Sequence, residues 1–196
     1  MTGRPLRADD TFVHRPGTAI SAGTSVLGVV VSLPEPLAQL MIEWRGKCGD
    51  PQASLVPPHV TLLPPTEVPI GERPAIRMHL EQVAATHPPF DIHLTGTGTF
   101  RPVSEVVFLT VARGGLDCQS LAGAVRSGPL TRSLSFPYHP HVTVAHDVPT
   151  EMLDMAAEGL ADLHTEFRVE AFTEFEQLPD GAWAVAAEYR LTGTPR

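Results

Sequence analysis

One tetrapeptide, Pro-His-Val-Thr, occurs twice in this chain of 196 residues, at Pro58–Thr61 and at Pro140–Thr143. The composition of the chain would give roughly 0.008 copies by chance, so we interpret the pair as a duplicated feature. In an extended strand, residues two apart point to the same face. Each copy therefore places a histidine and a threonine on one face, while the valine between them can enter a core on the other.

The two copies occupy matching places in a repeated order of predicted elements. Each half of the chain shows apolar patterns in the order strand, helix, strand, helix, strand. The last strand of the second half is predicted over Phe167–Phe175, and a hairpin turn at Leu178–Gly181 leads to a final strand from Trp183. We therefore predict an α+β fold of two pseudo-symmetric β-α-β-α-β lobes, with antiparallel sheets that face a central groove.

Composition divides the chain into an arm and one domain. Residues 1–25 are rich in Arg, Asp, Gly, Ser, Thr and Pro without an apolar period, which predicts a flexible N-terminal arm. Residues 26–192 are predicted to form a single bilobal domain. Its lobes are expected at approximately 26–103 and 104–192, because the repeated element order restarts between them.

Charge, cysteine content and hydropathy limit the partners and the compartment. The net charge of −8 argues against a protein that coats duplex nucleic acid, since such binding depends on many basic contacts to phosphates. The longest apolar runs have six residues, too few to span a bilayer, and no signal peptide is seen. Two cysteines cannot form a disulfide framework. We expect a cytoplasmic monomer that binds neither membranes nor duplex nucleic acid.

The duplicated residues suit acid–base chemistry on a phosphate. If the lobes pack as a pseudo-symmetric pair, His59 and His141 converge and can serve as general base and general acid. The hydroxyls of Thr61 and Thr143 can donate hydrogen bonds to phosphate oxygens. This inventory needs neither a metal nor a cofactor. His139 and His141 could form part of a metal site, but no carboxylate or cysteine stands at a supporting spacing, and we predict none.

Other residues are weaker candidates. Tyr138 and Phe136 could stack a nucleobase beside the groove, and Tyr138 is predicted to bind substrate. Arg101, at the end of a strand, is a second predicted substrate-binding residue. A third His-x-Thr, at His93 and Thr95, has no partner copy, and we interpret it as coincidence.

Paired His-x-Thr motifs followed by an apolar residue, about 80 residues apart, resemble those of the 2H phosphoesterase superfamily. This group is named for 2′-5′ RNA ligases and RNA 2′,3′-cyclic phosphodiesterases. The likeness covers residues 26–192, and the segment Tyr138–Val144 resembles the Phe-His-Pro-His-φ-Thr pattern of its bacterial RNA ligase-like members. The resemblance implies the bilobal groove fold and carries the catalytic roles over to four residues, namely His59, Thr61, His141 and Thr143.

The resemblance also implies an activity. It predicts a metal-independent phosphodiesterase that hydrolyses 2′,3′-cyclic phosphates of nucleotides or RNA ends to 2′-phosphates, with weak, reversible 2′-5′ RNA ligation. His141 is assigned as base and His59 as acid, an assignment that the residues alone leave open. Two alternatives also stay open. One is a phosphodiesterase for 2′-5′ oligonucleotides or a cyclic phosphate of ADP-ribose, and the other is a non-catalytic module that binds RNA or nucleotides.

One departure from the family pattern concerns the grip on phosphate. Many relatives carry an arginine shortly after the second motif, where this chain has His146 and Asp147. The resemblance therefore implies that a phosphate-binding arginine is missing or is supplied from elsewhere, with three candidates in the sequence: Arg101, Arg113 and Arg132.

Overall fold

Strands and helices follow one another in nearly the order that the sequence predicts. The computed structural model describes residues 22–195. Its strands are β1 (Thr24–Ser32), β2 (His59–Pro69), β3 (Phe90–Thr99), β4 (Val106–Arg113), β5 (His141–His146), β6 (His164–Val169), β7 (Ala171–Gln177) and β8 (Trp183–Arg190). Its α-helices are α1 (Leu37–Lys47), α2 (Arg73–Thr86), α3 (Gly115–Val125) and α4 (Thr150–Gly159). Short 3₁₀ turns cover Ile70–Glu72 and Gly128–Leu130.

The strands form one antiparallel sheet in the order β6-β3-β4-β5-β2-β1-β7-β8. We name its two sides the His59 half (β2, β1, β7 and β8) and the His141 half (β5, β4, β3 and β6). They meet between β2 and β5, where Val60 lies opposite Val142. Counted outward from this seam, β2 matches β5 and β1 matches β4. The predicted α+β fold with pseudo-symmetric antiparallel halves is confirmed.

The two halves of the sheet are not the two consecutive halves of the chain. The strand β3 pairs with β4 in the His141 half, and β7 pairs with β1 in the His59 half. The first repeat thus gives β3 to the His141 half, and the second gives β7 and β8 to the His59 half. The expected lobes, 26–103 and 104–192, place β3, β7 and β8 the other way round, because apolar periodicity identifies a strand without identifying its partner.

Two predicted boundaries also differ from the structure. The single strand predicted over Phe167–Phe175 is wrong: the chain breaks at Glu170 into β6 and β7, which lie near opposite ends of the sheet. Within the predicted arm, Thr24 and Ser25 already belong to β1, where Thr24 pairs with Pro69. Residues 22 and 23 form a turn before β1, and residues 1–21 of that arm lie outside the described residues.

The main core lies between one face of the sheet and the helices. Alternate strand residues such as Leu27, Leu62 and Leu109 are fully buried there, together with helix residues such as Met41 and Leu121. Cys48 and Cys118 are free, buried thiols. Among the helices described between residues 22 and 195, none is long and apolar enough to cross a membrane. The opposite face of the sheet is left to carry the polar residues of the two motifs.

Candidate active site

The two motifs open the two strands that meet at the seam. Val60 and Val142 are fully buried, whereas the histidine and threonine on either side of each valine are partly exposed. The predicted alternation is therefore confirmed. Because β2 and β5 run antiparallel with Val60 opposite Val142, their register brings His59 beside Thr143 and Thr61 beside His141. All four residues lie on the face away from the helices.

Both histidines are oriented in the same way. The Nδ1 atom of His59 lies 2.6 Å from the carbonyl oxygen of Pro57, and that of His141 lies 2.7 Å from the carbonyl oxygen of His139. A carbonyl only accepts hydrogen bonds, so Nδ1 is the protonated nitrogen in each neutral ring. The basic lone pair is then on Nε2 in both rings, which suits proton transfer at that atom.

The surroundings of His59 disfavour its charged form. Burial lowers the pKa of His59 to about 4, although its bond to the Pro57 carbonyl works in the opposite direction. Positive charge on Arg45 and on His141 lowers this pKa further. The register of β2 with β5 places the two histidines on the same face at diagonal positions across the seam. At neutral pH, the unliganded site therefore holds a neutral His59.

The surroundings of His141 are aromatic. The rings of Phe100 and Phe108 lie with their centroids 5.0 Å and 5.2 Å from that of His141, and His139 stands at 6.1 Å. Burial lowers the pKa of His141 to about 4, with a smaller lowering from positive charge on His139. The bond to the carbonyl of His139 opposes this change. Burial thus lowers the pKa of both rings. Around His141 the burying groups include two phenylalanines, whereas the charge of Arg45 adds to the effect at His59.

A buried arginine fixes the loop that leads into the first motif. Arg45, on α1, is 7% exposed. Its guanidinium donates to the Asp50 carboxylate at 2.8 Å and to the carbonyls of Val56 and Gln52. These bonds hold the segment just before Pro57, whose carbonyl orients His59. The sequence analysis missed Arg45, because the apolar spacing of a helix does not reveal which groups a polar side chain on it contacts.

The seam is stabilised mainly by side chains that donate hydrogen bonds to carbonyls of β2. The Tyr138 hydroxyl donates to the Thr61 carbonyl at 2.9 Å. Arg126 donates to the Leu62 carbonyl at 3.2 Å, and its guanidinium lies over the Tyr138 ring. Arg132 donates to the carbonyl of Pro65. Tyr138 stands three residues before His141, so its hydroxyl ties the second motif to the first.

Two hydroxyls flank the histidines in pseudo-symmetric positions. Ser32 of β1 pairs with His59, and Thr110 of β4 pairs with His141. The Ser32 hydroxyl also lies 3.1 Å from that of Thr173. The sequence analysis missed both, although each stands near the end of the first strand of its repeat, a signal that an alignment of the two repeats could have revealed.

The remaining candidates lie elsewhere. Arg101 forms an ion pair with Asp154 of α4 at 2.8 Å, so its predicted contact with substrate stays a prediction. Tyr138 packs against the core with Arg126 on its ring, contacts that fit a structural link between the motifs. Phe136 is exposed.

Within residues 22–195, no group of three or more His, Cys, Asp or Glu side chains could hold a metal ion. A cavity of about 420 Å³ between α2 and β8 involves none of the motif residues.

Comparison with known proteins agrees with this geometry. The family model of the 2′-5′ RNA ligase superfamily matches residues 33–180. A protein of Geobacillus kaustophilus named as a candidate phosphoesterase is 29% identical over 168 residues, which are 85% of this chain and 96% of that protein. A similarly named protein of Bacillus cereus is 29% identical over 167 residues, 84% of this chain and 96% of its own.

Solved structures show the same fold. Escherichia coli LigT, in a complex with NADP⁺, matches with a TM-score of 0.63 and 24% identity over 86% of this chain and 99% of its own. A protein of Thermus thermophilus matches with a TM-score of 0.59 and 26% identity over 87% of this chain and all of its own. The fold is LigT-like, and the matched residues include both motifs. The chain belongs to the 2′-5′ RNA ligase superfamily, the 2H phosphoesterase group that its duplicated motif resembles.

Proposed function

We propose that this protein is a metal-independent phosphodiesterase that hydrolyses 2′,3′-cyclic phosphates of nucleotides or RNA ends. The observation that carries the proposal is the seam register, which sets a histidine and a threonine from each motif around one point of the groove face. We infer that a single phosphodiester binds between two such pairs. Structures of E. coli LigT with phosphate and with 3′-AMP support a phosphate-bearing ligand for this fold.

Each residue then has one task in the reaction. One imidazole takes a proton from water through Nε2, and the water oxygen forms a bond to phosphorus. As the bond between phosphorus and the ribose 3′ oxygen breaks, the other imidazole gives its proton to that oxygen and leaves a 2′-phosphate. Thr61 and Thr143 donate hydrogen bonds to the non-bridging oxygens, where charge increases in the transition state.

The two tasks require different protonation states of similar groups. Because the pKa values of both rings lie below the ordinary value, the free enzyme at neutral pH holds two neutral imidazoles. A bound phosphodiester anion raises the pKa of an imidazole beside it, so that this imidazole takes up a proton from solvent and can act as the acid. We assign His141 as the base and His59 as the acid. With a ribose 5′ hydroxyl in place of water as the nucleophile, the same displacement of the 3′ oxygen would form a 2′-5′ linkage.

The test is an assay of the full chain against nucleoside 2′,3′-cyclic phosphates, 2′-5′ oligonucleotides and ADP-ribose cyclic phosphate. We expect turnover of the 2′,3′-cyclic phosphates to 2′-phosphates, unchanged in excess chelator. The His59→Ala and His141→Ala variants are the matched controls. Preferential turnover of one of the other two substrates, a 3′-phosphate product, or loss of activity with chelator would overturn the proposal. Tight nucleotide binding without turnover would favour the non-catalytic module.

A further inference from the structure

Ser32 lies beside His59 on the groove face of the sheet. It is the last residue of β1 and pairs with His59 of β2. Paired residues of neighbouring strands share a face, and their Cβ atoms are about 4.5 to 5.5 Å apart. Ser32 is exposed, so its hydroxyl can reach a ligand that contacts His59. The reaction described above gives this hydroxyl no task.

A buried threonine lies behind Ser32. The Oγ1 atom of Thr173, on β7, is 3.1 Å from the Oγ atom of Ser32. Thr173 pairs with Val30, two residues before Ser32 on the same strand, so Thr173 also lies on the groove face. It is only 6% exposed, and the fully buried Val30 beside it packs into an apolar cluster with Phe175 and Trp183. The Thr173 hydroxyl is therefore a buried polar group next to apolar side chains.

The burial of Thr173 decides which of the two hydroxyls is the donor. Among the residues described from 22 to 195, Ser32 alone hydrogen-bonds to the Thr173 side chain. Glu188, which pairs with Thr173 from β8, makes no hydrogen bond to it. If Ser32 were the donor, the buried Thr173 hydroxyl would keep an unsatisfied hydrogen, which is costly, whereas exposed Ser32 can satisfy its own hydrogen elsewhere. Thr173 therefore donates to the Ser32 oxygen.

This contact also fixes the direction of the Ser32 hydrogen. A serine hydroxyl rotates freely among its staggered positions unless a partner holds it. Because the Ser32 oxygen accepts from Thr173 on β7, its own hydrogen points away from β7, on the side where His59 lies. A donor that is oriented before the substrate binds needs no reorganisation during the reaction, which is what makes such donors effective at developing charge.

The corresponding hydroxyl in the His141 half has no such support. Thr110 of β4 pairs with His141 as Ser32 pairs with His59. Within the part of the chain that the structure describes, no residue hydrogen-bonds to the Thr110 hydroxyl, which can therefore rotate. Of the two hydroxyls that flank the motif histidines, Ser32 is the one held as a donor.

We propose that Ser32 donates a hydrogen bond to a non-bridging phosphate oxygen of the substrate, and that Thr173 is the positioning residue that orients it. The inference rests on the proposed function, because it takes His59 as part of the catalytic centre. It adds a third hydroxyl donor to those of Thr61 and Thr143, and no proton is transferred through it. Because charge on that oxygen increases in the transition state, loss of the bond should lower kcat more than it raises KM.

The experiment is a double-variant cycle on the turnover of a nucleoside 2′,3′-cyclic phosphate. Ser32→Ala should lower kcat about 10- to 100-fold, as for one hydrogen bond to a charged group. Ser32→Thr keeps the hydroxyl and should stay within about threefold of the wild type. Thr173→Val keeps the shape of the side chain and should lower kcat about threefold, since the Ser32 hydroxyl then spreads over three staggered positions. In the Ser32→Ala background, Thr173→Val should have no further effect on kcat.

Thr95→Val is the matched control for Thr173→Val. The Thr95 hydroxyl also contacts a neighbouring side chain, at 2.8 Å from Nδ1 of His164, but it lies on β3, two strands away from β5. This variant should leave kcat unchanged. An unchanged kcat in Ser32→Ala, or equal losses from Thr173→Val with and without the Ser32 hydroxyl, would overturn the inference.

Calorimetric binding of adenosine 2′-phosphate separates this inference from the proposed function. Ser32→Ala should lower the affinity about 5- to 10-fold, and Thr95→Val should not change it. That result in a protein that does not turn over cyclic phosphates would overturn the proposed function and support the Ser32 contact. Turnover at the wild-type rate in Ser32→Ala, with full affinity for the product, would overturn the contact alone. Absence of both binding and turnover in the wild type would overturn both.

Discussion

The two halves of the sheet hold the same four-residue motif in different surroundings. In the His59 half, a buried arginine, a loop and an apolar cluster lie behind the histidine. In the His141 half, two phenylalanines and a third histidine surround it. Both environments lower the pKa of the motif histidine to about 4. Duplication therefore preserved the position and orientation of the two imidazoles, while the means of tuning them diverged.

The outer surfaces of the halves differ more strongly than their centres. Beyond His141, the His141 half carries the Thr95 hydroxyl, the imidazoles of His93 and His164, and the ion pair of Arg113 with Glu166. Beyond Thr61, the His59 half carries the buried Val30, then Thr173 and Glu188. The two motifs are thus set in surroundings that differ from one half to the other.

The largest expected effect comes from removing either histidine. His59→Ala and His141→Ala should each lower kcat by about 10²- to 10⁴-fold on a cyclic mononucleotide, since each removes one positioned acid or base. The double variant should lose less than the product of the two single losses, because the residues act as a unit. His93→Ala, the matched control, should be nearly silent on this substrate. A large loss of kcat in only one of the two single variants would show that the two histidines do not act in one reaction.

A smaller effect is expected from the link across the seam. Tyr138→Phe keeps the ring and removes the donor to the Thr61 carbonyl. We expect kcat to fall about 5-fold with little change in KM, together with a loss of about 1 kcal/mol in the free energy of unfolding, as for one hydrogen bond.

Tyr189→Phe is the control for this link, because Tyr189 donates to the buried Glu174 carboxylate at 2.7 Å on the other side of the sheet. It should lower stability without lowering kcat. Equal effects of the two variants on kcat would mean that Tyr138 acts only through stability, and the seam would then have no special part in positioning the motifs.

The effect of the aromatic side chains on the pKa of His141 can be measured separately from any change in the pKa of His59. Phe100→Leu should raise the pKa of His141 by about one unit, because a smaller side chain lets water reach the ring. The pKa of His59 should stay the same, which makes it an internal control. Titration of both imidazoles by NMR measures the two values in one sample. Parallel shifts in both rings would show that the halves are tuned together rather than separately.

The weakest expected effect is on stability. Both motif histidines have a lower pKa in the folded state than the unfolded value of 6.5. Between pH 6.5 and about 4, the unfolded chain therefore binds more protons, and the free energy of unfolding falls as the pH falls. A His59→Gln, His141→Gln variant should lose less stability between pH 7 and pH 5 in urea titrations. An identical decline in both proteins would assign the acid sensitivity to other groups.

Much of this architecture could be predicted from the sequence. The register of His59 with Thr61 and of His141 with Thr143 follows from the two-residue period of a strand, and the element order follows from apolar spacing. The break at Glu170 could not be predicted, because the alternation of apolar residues continues through it from Phe167 to Phe175. The strand exchange, the bonds of Arg45 and the side chains that close the seam depend on which segments meet in space.

His93 shows the same limit from the other direction. Its motif has no second copy, so repetition in the sequence could not distinguish it from chance. The pairing of β3 with β4 and β6, which apolar spacing does not reveal, places its strand in the His141 half.

The central claim is that one histidine from each half forms a single acid–base pair. The most direct test is the pH dependence of kcat/KM for a 2′,3′-cyclic nucleotide. Because both free imidazoles have lowered pKa values and the active form carries one proton, the profile should be bell-shaped with its optimum on the acid side of pH 6.5. In His59→Ala or His141→Ala, residual activity should retain only one limb. A profile that is flat from about pH 4 to 9, or two limbs that survive in either variant, would contradict the account.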